Sequence, residues 1–442
     1  MNPSLISQRI ETALPLLIDR HVGVIRNVEE VRRVPGSPDF FHYAARASNT
    51  AAFTQQTNFN VTGGASKDRH RAIYKAVGEA VERYCGAIYD VQQLPLTSYK
   101  DAPFPCVRPS DFALYSPEQF EEDSFPWAPF NDDTTIRWTP AQDVLTGELR
   151  YIPATMAYVP YVYYIGTGDT PIAQNISTGL AAHESYERAA LGAVNEVIER
   201  DAFTIHWQAK IAPPQILMET LDDESYELVQ RFDHAGCEVV LFDLTMDHGV
   251  PTILSVLRSK HQDNPALVFA ASSSLNPLEA MRSALEELAH TRRYSQQIKA
   301  RMEPLAIEPG FSNVTNQMEH LNLYADHSNG DLASFIFTSK KRTSFSDIVN
   351  ESTGDPKRDL QTTVKKIEAV GHRTYVADLT SSDIAEVGLR VVRAVVPGFH
   401  PLFMGYRLRA LGGERLWTIP QKLGYPGVTR ETGDNQAPHP YP

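Results

Sequence analysis

Residues 76–83 read AVGEAVER, and residues 193–200 read AVNEVIER. Both follow Ala-Val-x-Glu-x-(Val/Ile)-Glu-Arg. Glu79 and Glu82 stand three apart, as do Glu196 and Glu199, so on a helix each pair occupies neighbouring positions of one face. Arg83 and Arg200 follow directly. One such pair alone would read as a solvated helix face with charge partners a turn away. Here Ala, Val and Ile hem in both pairs, which predicts partly buried helices. Carboxylates buried side by side are costly unless a cation or an arginine neutralises them. Mg²⁺ is commonly held by a few carboxylates together with substrate phosphates. Arginine presents a fork of donors that suits phosphate oxygens. The repeat therefore predicts a Mg²⁺–nucleotide site assembled from two helices.

Outward from the repeat, its first copy lies in a helical window over 67–90, with Ala72, Ile73, Ala76, Val77, Ala80 and Val81 on one face. The second copy lies in a window over 184–210, and a third helical window spans 276–300. Residues 4–18 have helical periodicity interrupted by Pro15 and suggest a short docking helix. Residues 22–62 alternate like strands. Residues 93–135, rich in Pro, Ser and Asp, read as a surface excursion, and 136–165 read as strands, YIPATMAYVPYVYY included. A second echo follows. Residues 223–235 are helical, then Gly236 leads into CEVVLFDLT and VPTILSVL. Residues 358–370 are helical, then Gly371 leads into HRTYVADLT and LRVVRAVV. The glycines suit helix C-caps and the Asp-Leu-Thr runs suit turns. Beyond residue 424 the chain is rich in Gly, Pro and Asn, and no regular structure is expected.

The 442 residues exceed one ordinary domain, so subdomains sharing a cleft are expected. A net charge of −13 disfavours nucleic acid and anionic lipid as partners. Cys85, Cys106 and Cys237 are odd in number and fit no zinc spacing. They read as buried or neutral thiols in a reducing compartment. No targeting segment or bilayer-long apolar run is evident, so a cytoplasmic protein without membrane contact is the expectation.

The residues also carry a likeness. STGLAA (177–182), continuing through NEVIERDAF (195–203), resembles the central signature of YcaO-domain proteins. GEAVERYCG (78–86) resembles their earlier Glu-x-x-Glu-Arg helix, and RSALEELAHTRR (282–293) their third helix, which ends in an arginine. VADLTSSDIAEVGLRVVRAVVPGFHPL (376–402) and the terminal Pro438-His439-Pro440-Tyr441-Pro442 resemble the azoline-forming cyclodehydratase branch. The likeness covers roughly residues 60–442. It implies an α+β, YcaO-type fold of several α/β subdomains around an ATP cleft, with an extended proline-rich tail. No Walker Gly-x-x-x-x-Gly-Lys run occurs, in agreement. The implied division is 1–60 as an N-terminal helix and strands available for partner docking, 61–424 as the catalytic domain, and 425–442 as the tail.

By the same likeness Glu79, Glu82, Glu196 and Glu199 hold Mg²⁺ around ATP, and Arg200 and Arg292 contact phosphate. Arg83 either contacts phosphate or braces the carboxylates. Ser66 and the Gly63-Gly64 backbone line phosphate, whereas Lys67 is displaced from the family's Gly-Lys-Gly position and receives no role. Glu184 or Glu187 serves as a further ligand or is an exposed charge at a helix N-terminus. A proline-rich tail is a stiff rod with little ordering entropy to lose, suited to threading the Pro442 α-carboxylate into the site as a base. His183, His290 and His439 are other candidates by residue chemistry, but a lone histidine is more often a packed or surface residue, so none is assigned a role. Deleting Pro438–Pro442 is expected to abolish turnover while leaving ATP binding nearly intact.

The implied reaction converts Cys, Ser or Thr of a ribosomal precursor peptide to thiazolines or oxazolines, as in bacteriocin or antibiotic biosynthesis. The rival readings are thioamide formation, amidine formation, and a non-catalytic scaffold subunit. About 60 residues precede the matched region, too few for a leader-binding domain. A separate E1-like or ocin-ThiF-like partner is therefore expected to deliver the precursor. The family likeness adds a homodimer and a flavin dehydrogenase as companions.

Overall fold

The computed structural model describes residues 11–34 and 36–442. Helix α1 (Arg69–Gly86) begins where the Asp68 side chain accepts the Arg71 N–H, so a loose donor of the first turn is capped. Its buried face is the expected one, Ala72, Ala76, Val77, Ala80 and Val81, with Ile73 at the margin. That face lies on a three-stranded antiparallel sheet in the order β1 (Ile25–Glu30), β2 (Phe41–Ala47), β3 (Val61–Ser66). The approach is close. A Cβ at Gly64 would stand 2.5 Å from the Ala72 carbonyl oxygen, so this strand position admits only glycine. The sheet joins residues on both sides of residue 60. Of the docking helix, residues 11–17 are helical, and 4–10 lie outside the described residues.

A six-stranded sheet runs Leu96–Thr97, β4 (Ile136–Asp143), β10 (Tyr375–Asp378), β11 (Arg390–Val395), β6 (Leu180–His183), with β5 (Leu149–Pro153) paired to β4. A five-stranded sheet runs β9 (Leu267–Ser273), β8 (Thr252–Arg258), β7 (Glu238–Asp243), Gln215–Ile216, Arg342–Thr343. Between them lies α2 (Tyr186–Gln208). It packs against β6, β11 and α5 (Pro356–Ala369) on one side and against β8 and β9 on the other. From Val197 to Gln208 only Arg200 escapes full burial. The stretch mixes apolar residues with buried polar ones, Asp201 among them, which Arg415 pairs at 2.7 Å. Helix α4 (Pro277–Arg301) starts at the Asn276 cap and crosses β8 and β9.

The second echo is present in three dimensions. Helix α3 (Asp223–Asp233) leads through Gly236 (φ 71°) into the β7–β8 hairpin, and α5 leads through Gly371 (φ 92°) into the β10–β11 hairpin. The two units stand in different sheets.

Two expectations are corrected. The strands of 136–165 stop at Pro153, and one helical turn (Ala154–Ala157) and irregular chain follow. The alternating tyrosines there build an aromatic cluster instead, with Tyr89 stacked on Tyr158 and Tyr161. Residues 93–135 are irregular, as expected, but not merely superficial. Tyr99, Phe104, Leu114, Tyr115 and Phe130 pack around the fully buried Trp138. The tail has no regular structure beyond residue 424, yet Asn435, Ala437, His439 and Tyr441 are buried in it. All three cysteines are free, and burial pushes Cys85 up to about 11 and Cys106 up to about 12, so both are neutral thiols. No described helix is long and apolar enough to cross a membrane.

Candidate active site

A cleft of about 950 Å³ opens where β3, α1, α2 and α4 meet, within the size range of small-molecule sites. Its walls carry Glu79, Glu82, Glu196 and Glu287 together with Arg71, Lys75, Arg83, Arg200 and Arg293. Gly63 and Gly64 of β3 line it too. A side chain at Gly63 would run into the His290 ring, which fixes the width of the cleft there.

The two helices bring Glu79, Glu82 and Glu196 together on the cleft wall, whereas Glu199 is buried and is not among the lining residues. Glu82 is desolvated and lies beside both Glu79 of its own helix and Glu196 of the other. Its carboxyl is pushed up to about 8, burial being the main cause and the two like charges adding to it. One Glu82 oxygen accepts the Ala182 N–H at 2.8 Å. Glu79 accepts the Gly63 N–H at 3.3 Å and meets Arg83 at 3.2 Å. Glu196 accepts the Gly179 N–H at 3.1 Å and the Arg200 guanidinium at 3.3 Å. Gly179 has φ 83°, and a Cβ there would collide with the Ala394 carbonyl, so the backbone that presents this N–H requires glycine. Burial pushes Glu199 up to about 7 against the pull of Arg200.

Buried acids held above their ordinary range are short of positive charge. That deficit, in a cleft that also carries five basic side chains, fits a cation together with a polyanion. Among the described residues no three acidic, imidazole or thiol side chains converge into a ready-made metal cage. Mg²⁺ does not require one, since it takes one or two carboxylates and fills its shell with phosphate and water.

Arg83 takes the bracing place, paired with Glu79 one turn away. Arg200 is busier. It reaches Glu196, lies 3.4 Å from Glu199, donates to the Pro442 oxygen at 3.1 Å, and covers the Tyr441 ring at 4.5 Å. Pro442 itself lines the cleft. The tail reaches this point along α2. Asn435 donates to the Trp207 carbonyl, the Trp207 indole donates to the Ala437 carbonyl, and Tyr324 donates to the Pro438 carbonyl at 2.5 Å. His439 is fully buried; its Nε2 donates to the Phe403 carbonyl and its Nδ1 accepts the Tyr441 N–H. With both nitrogens engaged away from the cleft, it is a packing residue.

Three expected site residues stand elsewhere. Arg292 points out of the cleft, donating to Ser37 at 3.4 Å and Asn264 at 3.1 Å, because it falls on the buried stripe Met281, Leu285, Leu288 of α4. Its neighbour Arg293 lines the cleft instead. Ser66 is fully buried and donates to Glu286 at 2.5 Å, facing into the packing between β3 and α4. Glu187 sits half-buried in the first turn of α2, outside the cleft. Glu184 is engaged by Arg188 at 3.0 Å and by His183. Lys67 pairs with Glu224 and Glu227 away from the cleft.

The sequence reading missed Lys75, and it named His290 as a candidate base by residue chemistry alone. Lys75 stands four residues before Glu79 on the same face of α1. It reaches Glu286 at 2.7 Å, and Arg71 and Ser66 bind that same buried carboxylate. Burial opposes the Glu286 charge, but Lys75 and Arg71 outweigh it and hold the carboxyl low. His290 pairs with Glu287 at 3.4 Å, which keeps the imidazole above its ordinary range against the cost of burial.

Comparison with known proteins fits this geometry. A family model described as YcaO cyclodehydratase, ATP- and Mg²⁺-binding, matches residues 63–400. An uncharacterised protein of Methanothermobacter thermautotrophicus is 27% identical over 284 residues, 62% of this chain and 70% of that one. The fold is similar to a heterocyclase solved in complex with substrate and cofactor, with TM-score 0.79, 21% identity and coverage of 98% of this chain. The chain spans 57% of that heterocyclase's length. It is also similar to YcaO from Methanopyrus kandleri bound with AMPPCP and Mg²⁺, with TM-score 0.62, 18% identity, and 90% and 89% of the two chains covered. At such identities the structural likeness shows the fold alone.

Proposed function

The chain belongs to the YcaO family, and from that premise we propose that it is an ATP-dependent cyclodehydratase acting on the backbone amides of a ribosomal precursor peptide. One observation carries the azoline-forming reading. The proline-rich tail ends inside the carboxylate cleft, with Pro442 on Arg200 and Arg200 on Glu196.

In this reading a Cys thiol, or a Ser or Thr hydroxyl, attacks the preceding amide carbon, forming the C–S or C–O bond. The amide oxygen takes the γ-phosphoryl group of the co-substrate ATP and departs as phosphate. The thiol or hydroxyl proton and the amide proton are removed, so the peptide loses the atoms of one water per ring. Glu79, Glu82, Glu196 and Glu199 hold Mg²⁺, which when bound neutralises phosphate charge. Arg200, with Arg293 and Lys75 across the cleft, orients the phosphates and stabilises charge that develops on them. Arg83 keeps Glu79 in place. The Pro442 carboxylate, held by Arg200 in the cleft, is the proton acceptor. A separate leader-binding protein brings the precursor, and residues before β3 are its docking region.

The test is mass spectrometry of a cognate precursor with the chain, its leader-binding partner, ATP and Mg²⁺. Loss of one water per modified residue is expected. Exchange of oxygen for sulfur would assign a thioamide enzyme instead, and an unchanged mass would overturn the reading.

A further inference from the structure

Tyr441 is the penultimate residue of the tail and is 1% exposed. Its hydroxyl donates to Glu199 Oε1 at 2.6 Å and accepts the Ala271 N–H of β9 at 2.9 Å. The ring packs on Phe203 of α2 at 4.3 Å between centroids, and the Arg200 guanidinium covers it at 4.5 Å. The phenol is thereby locked by a sheet amide below, an aromatic ring beside it and a cation above. A hydroxyl has one proton to give, and here it goes to one oxygen of one of the four glutamates. Glu199 Oε2 has no hydrogen-bond partner among the described residues. Buried tyrosines commonly satisfy their hydroxyl on a backbone carbonyl, and the Ala271 carbonyl stands within reach at 3.4 Å. The shorter contact to a carboxylate is charge-assisted and dominates that choice.

We infer that Tyr441 is a positioning residue for the metal–nucleotide site. It clamps Oε1 of Glu199 so that Oε2 is presented to the cation. This rests on the reading above that Glu199 is a cation ligand. Seating of the tail and binding of Mg²⁺–nucleotide then meet at a single carboxylate. The tail is consequently part of the nucleotide site, and its removal weakens nucleotide binding as well as turnover. That reverses the expectation drawn from the sequence.

The experiment is calorimetric titration of Mg²⁺ into the full chain in the presence of AMPPCP, for the parent, Tyr441→Phe, Glu199→Gln and the double variant. Tyr441→Phe keeps the ring, its stacking and its cover by Arg200, and removes only the hydroxyl. Its Mg²⁺ half-saturation is expected to rise about tenfold. The unfolding temperature without ligand should fall whichever role the hydroxyl has, because the Ala271 N–H and Glu199 Oε1 each lose a buried partner, so the Mg²⁺ requirement is the deciding readout. In the Glu199→Gln background the same change should add nothing, because the group it positions is already gone. A role in packing alone would move the unfolding temperature and leave the Mg²⁺ requirement unchanged, and that result overturns the inference while leaving the functional reading intact. Equal, additive losses from Tyr441→Phe and Glu199→Gln would also overturn it. Should Tyr441→Phe unfold, hydrogen exchange at the Tyr441 amide of the parent decides: protection must rise when Mg²⁺–AMPPCP binds, and unchanged protection overturns the inference. Failure of the parent to bind Mg²⁺–AMPPCP at all would overturn the functional reading, and this inference with it.

Discussion

The two copies of Ala-Val-x-Glu-x-(Val/Ile)-Glu-Arg are nearly interchangeable as sequence and quite different as structure. On α1 the glutamates are held by backbone: Glu79 by the Gly63 N–H and Glu82 by the Ala182 N–H, with Arg83 bracing only Glu79. On α2 the second glutamate and the arginine are held by the tail: Glu199 by Tyr441, and Arg200 by Pro442 and the Tyr441 ring. One motif is therefore built into the walls of the cleft, and the other also anchors the end of the chain. The same eight-residue pattern supplies charge in both places, but only the second couples that charge to a second element.

The largest effect should come from breaking either half. Glu82→Gln and Glu199→Gln are each expected to weaken Mg²⁺–nucleotide binding on the order of a hundredfold, about 2.7 kcal/mol, by calorimetry. The halves should differ in what else changes. Glu199→Gln loosens the tail, seen as faster hydrogen exchange at the Tyr441 amide, whereas Glu82→Gln leaves that exchange unaltered. Equal exchange in both variants would erase the distinction between the motifs.

A smaller effect is expected across the cleft, on α4. Arg293→Ala should weaken nucleotide binding about tenfold. Arg292→Ala should leave affinity unchanged and cost about 1–3 kcal/mol of stability through its lost buried hydrogen bonds, read by denaturant unfolding. The reverse pattern would return Arg292 to the site.

The acids also predict a pH dependence. Without cation, burial holds Glu82 near 8 and Glu199 near 7, so the folded protein keeps protons that the unfolded chain has already lost. Its stability should therefore fall as pH rises from about 4.3, the ordinary glutamate value, to 8. Mg²⁺–nucleotide takes the place of those protons. The ligand-induced rise in unfolding temperature should accordingly grow between about pH 6 and 8. A rise that stays flat over that range would mean these acids do not meet the ligand.

A last effect, on stability rather than on binding, belongs to Ser66→Ala. It should cost about 1.5–3 kcal/mol of stability by removing a charge-assisted hydrogen bond to buried Glu286. Nucleotide affinity should stay within about twofold.

What could be read without the structure follows the range over which each signal acts. The helices α1, α2 and α4, the two helix–glycine–hairpin units and the Glu-x-x-Glu pairs rest on spacings of a few residues, and all were legible. The orientation of Arg292 was legible too, since it continues the stripe Met281, Leu285, Leu288, but a motif match places an arginine by position and not by helix face. The tyrosine-rich run after Pro153 misled because alternating aromatics fit a strand and a cluster equally well. The link between Tyr441 and Glu199 spans 242 positions, and the one between Glu82 and Ala182 spans 100. Neither leaves a local trace. Pairings of that kind are set by how α2 is sandwiched between sheets.

Two distant helices sharing one cation is the claim on which the rest depends, and anomalous diffraction from crystals soaked with Mn²⁺ and AMPPCP tests it most directly. The expected result is Mn²⁺ density in the cleft with carboxylate oxygens from both α1 and α2 at bonding distance, at least one from Glu79 or Glu82 and one from Glu196 or Glu199. Density confined to surface acids, or nucleotide bound without any of these carboxylates near its phosphates, would contradict it.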